Sequence, residues 1–204
     1  MRIYGSKLFS KEDLVRNSSL NFSTRLIFIK TKYIEKELEQ NLSLKNVSVN
    51  REILPFGLKV LIKTRTPIAY GEKLLNGEKI SGFIDEDGFF INKNHIKNEN
   101  SKKFNTKVFG WQENFRKTLS EILTLKKNGE LELLKISFSP NGFLTLEEKD
   151  LKTILLGFNP NLIRFQLKII SNLKNQFKEN NVSKKIDNID LTDPNYPKIK
   201  VFKP

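Results

Sequence analysis

Residues 46–63 read NVSVNREILPFGLKVLIK, and their pattern gives the clearest indication of how the first part of the chain folds. Val47 and Val49 alternate with polar residues, which is the pattern of a strand with one buried face. The segment Leu54-Pro55-Phe56-Gly57 predicts a turn, and a second alternation from Leu58 to Lys63 predicts the return strand. The sequence therefore predicts an antiparallel hairpin.

Upstream of the hairpin, the chain has the patterns of one strand and two helices. Residues 2–5 are typical of a short strand, and a first helix is predicted from residue 11 to about residue 17. Ile34, Leu38 and Leu42 recur at every fourth position, so a second helix has one apolar face. The predicted order over the first 70 residues is β-α-α-β-β.

The remainder of the chain is predicted to be rich in strands, with a long helix late in the sequence. Asn159-Pro160 is typical of a helix start, because proline suits the first helical position. The predicted elements are a hairpin at residues 79–92, a helix near 115–128, strands at 131–138, 143–146 and 151–158, the long helix, and strands at 186–191 and 198–202. The sequence thus predicts an α+β fold with one domain at residues 1–70 and a β-rich domain at residues 71–204.

The composition removes most of the usual catalytic and metal chemistry. The chain has no cysteine and a single histidine, His95, so disulfides, His/Cys zinc sites and histidine-dependent triads lack their parts. The acidic groups Asp85-Glu86-Asp87 and Glu147-Glu148-Lys149-Asp150 are predicted to be solvated turns. We therefore predict no catalytic residue, no metal site and no cofactor.

The net charge of +13 raises the question of an anionic partner. The 29 lysines far outnumber the 7 arginines, whereas arginine is the residue suited to bidentate phosphate and base contacts. The excess is uneven, with +7 in residues 1–70 and +5 in residues 161–204. Nucleic acid remains an alternative partner that the charge alone supports.

Exposed sheet edges are places where proteins accept a strand from a partner. Residues 186–191 follow the last helix and lie near the end of the sequence, so we predict that they form an edge strand of the second sheet. The alternative is that this strand is simply paired inside the sheet.

Four segments, in order along the chain, resemble motifs of the FtsQ/DivIB family of bacterial cell-division proteins. They are Asn46–Pro55 (NVSVNREILP), Arg65–Ala69 (RTPIA), Gly82–Phe90 (GFIDEDGFF) and Ile186–Leu191 (IDNIDL). The β-α-α-β-β order is similar to that of the POTRA domain of this family. The resemblance covers nearly the whole chain.

The resemblance implies a POTRA-like domain at residues 1–70 and a β domain with a C-terminal edge strand at residues 71–204. It implies a non-catalytic septation scaffold, held in the plasma membrane by a single span before the POTRA domain, with this region on the periplasmic side at the division site. The implied partners are the small coiled-coil proteins FtsB and FtsL, the former binding by strand addition. The implied partner-binding residues are Ile186, Asp187, Asn188, Ile189, Asp190 and Leu191, with Val201 and Phe202 as flanking apolar contacts.

A second reading keeps the POTRA-like domain but assigns it to outer-membrane assembly or secretion proteins. Those proteins carry repeated POTRA units followed by a transmembrane barrel. This sequence has one such unit and no run of alternating strands of roughly ten residues that could face lipid.

Overall fold

The structure is a computed structural model, and it describes residues 1–6, 8–21, 23–96, 103–179 and 186–201. The chain forms two compact units. The first takes in Met1–Thr66 and Ile91–Glu99, and the second takes in Pro67–Phe90 and Asn100–Pro204. The predicted boundary after residue 70 lies four residues past the end of the first continuous segment, Thr66.

The first unit contains a three-stranded sheet with two helices. Its elements are β1 (Arg2–Tyr4), α1 (Lys11–Arg16), α2 (Thr31–Asn41), β2 (Asn46–Glu52) and β3 (Gly57–Lys63). The sheet order is β1-β3-β2, with β1 parallel and β2 antiparallel to β3. The predicted β-α-α-β-β order is confirmed.

Alternation along the hairpin builds the core of this unit. Val47 pairs with Ile62 and Val49 with Val60, and all four side chains are buried. They pack with Ile34 and Leu38 of α2, among other apolar residues. The period of two in the strands and the period near four in the helix therefore place their apolar residues in one cluster.

The second unit is built on a mixed sheet with two helices. Its elements are β4 (Pro67–Leu75), β5 (Glu78–Asp85), β7 (Lys107–Phe109), α3 (Arg116–Lys127), β8 (Leu133–Phe138), β9 (Leu144–Glu148), β10 (Lys152–Gly157), α4 (Ile163–Glu179), β11 (Ile186–Asp190) and β12 (Lys198–Val201). A further strand of the same sheet, β6 (Phe90–Asn92), begins with the last residue of the segment Pro67–Phe90 of the second unit and ends in the segment assigned to the first. The strand order of the sheet is β12-β11-β10-β9-β8-β7-β4-β5-β6. The α+β class is therefore confirmed.

Two strands of this sheet have no counterpart in the sequence prediction. β4 begins at Pro67 and contains Gly71, and both residue types favour loops over strands. β7 has only three residues, too few to show a period of two. Both strands form because the sheet supplies partners: β7 lies between β4 and β8, parallel to each.

The turn after β5 has the conformation that its sequence predicts. Gly88 has a φ of 72°, and a side chain there would meet the Arg116 carbonyl oxygen at 2.4 Å. The indole Nε1 of Trp111 donates a hydrogen bond to the Gly88 carbonyl at 2.8 Å. Gly88 is therefore required both for its positive φ and for the close approach of the backbone around it.

Candidate functional site

The segment Ile186–Leu191 does not form an open edge of the sheet. β11 pairs in parallel with β10 and antiparallel with β12, so both of its backbone edges are occupied. The predicted edge position is therefore wrong, and among the described residues the outermost strand at this end of the sheet is β12. The cause is the turn at residues 193–197, which returns the chain alongside β11.

The apolar side chains of this segment belong to the core. Ile186, Ile189 and Leu191 are fully buried. Asp187 and Asn188 are partly buried, and the Asn188 amide donates to the Asp187 carboxylate at 3.1 Å. The side chains of Ile186, Ile189 and Leu191 thus have no surface to offer a partner.

A row of apolar side chains crosses the sheet and ends at β12. Paired residues on neighbouring strands lie on the same face. In register order the row is Val108, Ile136, Leu146, Ile154, Ile189 and Ile199. The first five are fully buried in a core shared with α3 and α4, whereas Ile199 is 41% exposed. The row is therefore covered by the core except at its last member, Ile199.

Val201 continues the exposed apolar surface of β12. It pairs with the buried Ile186 and is 54% exposed. Phe202, the other predicted flanking contact, lies outside the described residues. Ile199 and Val201 are two residues apart and share one face of the strand, so they offer a partner a continuous apolar strip.

The other face of β12 is basic. Lys198 and Lys200 alternate with the apolar pair and are exposed. Lys198 pairs with Asp190, and Lys200 pairs with Asn188. Hydrogen bonds from Thr192, with the nearby positive charges of Lys198 and Lys200, lower the pKa of Asp190. An incoming strand with carboxylates would complement these lysines.

Buried hydrogen bonds hold the strands behind β12 in place. The Gln166 amide of α4 donates to the carbonyls of Leu156 and Leu191, both at 2.7 Å. The Leu191 N–H donates to the Leu155 carbonyl at 2.8 Å. The two hydrogen bonds of Gln166 tie α4 to the ends of β10 and β11.

The two acidic groups singled out in the sequence are structural. Asp85 is buried and accepts hydrogen bonds from the N–H groups of Asp87 and Phe89 at 3.0 and 2.8 Å. Glu148 is also buried, so the prediction of a solvated turn is wrong for both residues. A buried carboxylate needs several donors, and these turns supply them.

His95 lies in the first unit and is partly buried, with Nδ1 3.2 Å from the Ser43 hydroxyl oxygen. Burial lowers the pKa of His95. Over the described ranges, no group of three or more His, Asp or Glu side chains is arranged to hold a metal ion. Within the same ranges, no helix is both long and apolar enough to cross a bilayer.

Chelation should leave the stability of the chain unchanged. A structural metal would stabilise the folded state by mass action, and its removal would lower the melting temperature. We expect the same melting curve before and after dialysis against EDTA, measured by circular dichroism. A drop of several degrees that added zinc or calcium reverses would contradict this prediction.

Comparison with known families identifies the first unit. The model of the "POTRA domain, FtsQ-type" matches residues 1–65. This range coincides with the β-α-α-β-β unit and its three-stranded sheet. A comparison with curated protein sequences gives no match.

The chain thus carries a POTRA domain followed by a mixed β-sheet unit. The type of POTRA domain supports assignment to an FtsQ/DivIB-like family and indicates a cell-division protein. The POTRA-like domain predicted for the first part of the chain is therefore confirmed over residues 1–65.

Proposed function

We propose that this protein is a non-catalytic scaffold of bacterial cell division that links other septation proteins outside the plasma membrane. The observation that carries the proposal is the exposed strand β12 at the end of the sheet, in a chain that also carries a POTRA domain of the FtsQ type. A strand edge with an exposed apolar strip is suited to holding a protein chain rather than to chemistry on a small molecule.

Strand addition at β12 is the binding mode that this edge supports. The outward N–H and C=O groups of Lys198–Val201 give an incoming strand its hydrogen bonds. Ile199 and Val201 would be covered by apolar side chains of that strand, and Lys198 and Lys200 would favour acidic ones. The partner is an FtsB-type coiled-coil protein, with FtsL joining the same complex.

The position of β1 bears on how the POTRA domain would face the membrane. Arg2 pairs with Lys59, near the start of β3, and Arg2 forms an ion pair with Glu52 at the end of β2. The start of β1 therefore lies at the same end of the sheet as the β2–β3 turn. A membrane span placed before β1, as in the family, would reach the domain at that end.

Two measurements test the proposal. The purified chain should bind a peptide from the extracytoplasmic part of the FtsB-type protein of the same organism, measured by fluorescence anisotropy against a scrambled peptide. The full gene product fused to a fluorescent protein should collect at the septum. Absence of binding at about 100 μM peptide, together with an even distribution in the membrane, would count against the function.

A further inference from the structure

One end of the first unit carries large apolar side chains that no core covers. Ile53, Leu54 and Phe56 of the β2–β3 turn are 81%, 92% and 79% exposed, and Ile27 and Phe28 are 73% and 67% exposed. We call this surface the turn end; it also includes the start of β1 and the start of α2. Single exposed apolar residues are ordinary, but several on adjacent segments mark an interaction surface.

Hydrogen bonds show that these segments lie together. The Arg51 guanidinium, next to the β2–β3 turn, donates to the Ile29 carbonyl at 2.6 Å. This bond ties residues 26–29 to the end of β2.

The first turn of α2 is held at the same end of the sheet. The N–H groups of Val49 and Val47 donate to the carboxylates of Glu35 and Glu39, both at 2.8 Å. The helix therefore runs antiparallel to β2, and its start lies toward Arg51. Tyr33, in the first turn of α2, adds an exposed ring to the turn end.

The charges around these apolar groups are mainly positive. The basic residues are Arg2, Arg25, Lys30, Lys32 and Arg51. The two acidic residues of the same segments are both engaged. Glu52 pairs with Arg2, and Glu35 pairs with Lys32 at 2.8 Å and accepts the Val49 N–H. The five basic residues outnumber the two acidic ones, so the turn end accounts for part of the +7 charge of residues 1–70. This charge is separate from that of the lysines of β12.

We propose that the turn end binds the surface of an anionic lipid bilayer. Exposed aromatic and aliphatic side chains on short turns can enter the interface between headgroups and acyl chains, while lysine and arginine meet anionic headgroups. The exposed apolar side chains lie on two short segments, residues 26–28 and the β2–β3 turn. Side chains on such segments can enter the fluid interfacial region of a bilayer. Positive charge spread over several side chains complements a bilayer surface, which presents many anionic headgroups, better than it complements one specific acidic group.

This inference does not depend on the division role, because it rests on the POTRA domain alone and not on β12. If the proposed function holds, the turn end is also the end at which the membrane span would join the domain. The vesicle experiment contains no division partner, so its failure and the failure of the proposed function are separate results.

The test is sedimentation of the purified chain with vesicles of phosphatidylcholine containing phosphatidylglycerol, compared with pure phosphatidylcholine. We expect binding to the anionic vesicles, weakened by about 0.5 M salt because salt screens charge. The double substitution Leu54→Ser and Phe56→Ser should reduce binding at least tenfold. Both side chains are outside the core, so the variant should keep its circular dichroism spectrum and melting curve.

Two control variants separate this surface from general stickiness and general charge. Leu74→Ser with Leu75→Ser removes two exposed leucines of β4, at 57% and 51% exposure, and should bind vesicles as the parent chain does. Arg25→Gln with Lys30→Gln should weaken binding, whereas Lys198→Gln with Lys200→Gln, which removes the same charge from β12, should not.

Three results would overturn the proposal. The first is no binding of the parent chain to anionic vesicles. The second is equal binding by the Leu54→Ser and Phe56→Ser variant. The third is an equal loss of vesicle binding in the variant at Arg25 and Lys30 and in the variant at Lys198 and Lys200, which would show attraction by net charge alone. Loss of protein-partner binding in the turn variant, without vesicle binding by the parent chain, would instead make the turn end a protein-docking surface.

Discussion

Replacing Ile199 with aspartate should lower the affinity for the FtsB-type peptide by roughly ten- to a hundredfold. Covering an isoleucine side chain stabilises a complex by about 1.5–3 kcal/mol, and a buried carboxylate adds a desolvation cost. Because Ile199 is 41% exposed in the free chain, the fold should tolerate the change far better than the complex does. Fluorescence anisotropy measures the affinity, and circular dichroism measures the fold.

The matched control is Lys200→Ser, one residue along the same strand and on its opposite face. Its side chain is exposed and lies outside the apolar strip of Ile199 and Val201. We expect an affinity change of a few fold at most, since rim charges contribute little to affinity. Equal affinities for the parent chain and Ile199→Asp would show that the apolar strip is not the binding surface.

A pair of proline variants tests the backbone half of the same prediction. Successive residues of an edge strand direct their N–H groups in opposite directions, one toward β11 and one outward. Of Ile199→Pro and Lys200→Pro, one should therefore keep the fold and lose binding at least about tenfold, because an outward donor is gone. The other should lose stability, because a bond to β11 is gone. Two variants that both fold and bind like the parent chain would exclude strand addition at β12.

Replacing Glu148 with glutamine should lower the free energy of unfolding of the second unit by about 3–5 kcal/mol. The buried carboxylate accepts the N–H groups of Glu132, Asp150 and Leu151 at 3.0, 2.7 and 2.9 Å, and Lys174 Nζ at 2.6 Å. An amide at this place would direct its own N–H₂ toward at least one donor and leave the mostly buried Lys174 ammonium without its closest carboxylate.

Urea unfolding followed by the fluorescence of Trp111 measures this effect. Trp111 is the single tryptophan of the chain and lies buried in the same unit as Glu148. The matched control is Glu147→Gln, the preceding residue on β9. Its ion pair with Lys135 at 2.8 Å is about half exposed on both sides, so the cost should stay below about 1 kcal/mol. Similar unfolding midpoints for the two variants would contradict the structural role of Glu148.

The first unit could be predicted from the sequence because its fold rests on local patterns. The alternation in residues 46–63 specifies a hairpin, and Ile34 and Leu38 recur at the spacing of a helix that must cover it. These patterns are properties of short segments, so they can be recognised without knowing which distant residues are in contact. The motifs near Arg65 and Gly82 carried the family resemblance for the same reason.

Which of the described strands lies outermost in the sheet could not be predicted in this way. Ile186–Leu191 and Lys198–Val201 both read as short strands, and nothing in either segment states which one has a neighbour on its second side. That depends on where the turn at residues 193–197 returns the chain and on pairing with β10, about thirty residues earlier in the sequence. Strand order is decided by such long-range pairing.

The burial of polar groups was likewise decided by tertiary structure. Glu148 has the sequence context of a solvated turn, and the side chain of its neighbour Glu147 is 43% exposed. The basic charge, the POTRA-type order of elements and the absence of cysteine chemistry follow from the sequence without the fold. The exposure of Ile199 at the end of an apolar row and of Phe56 outside the core follows from the fold, because the exposure of a side chain depends on which distant segments pack against it.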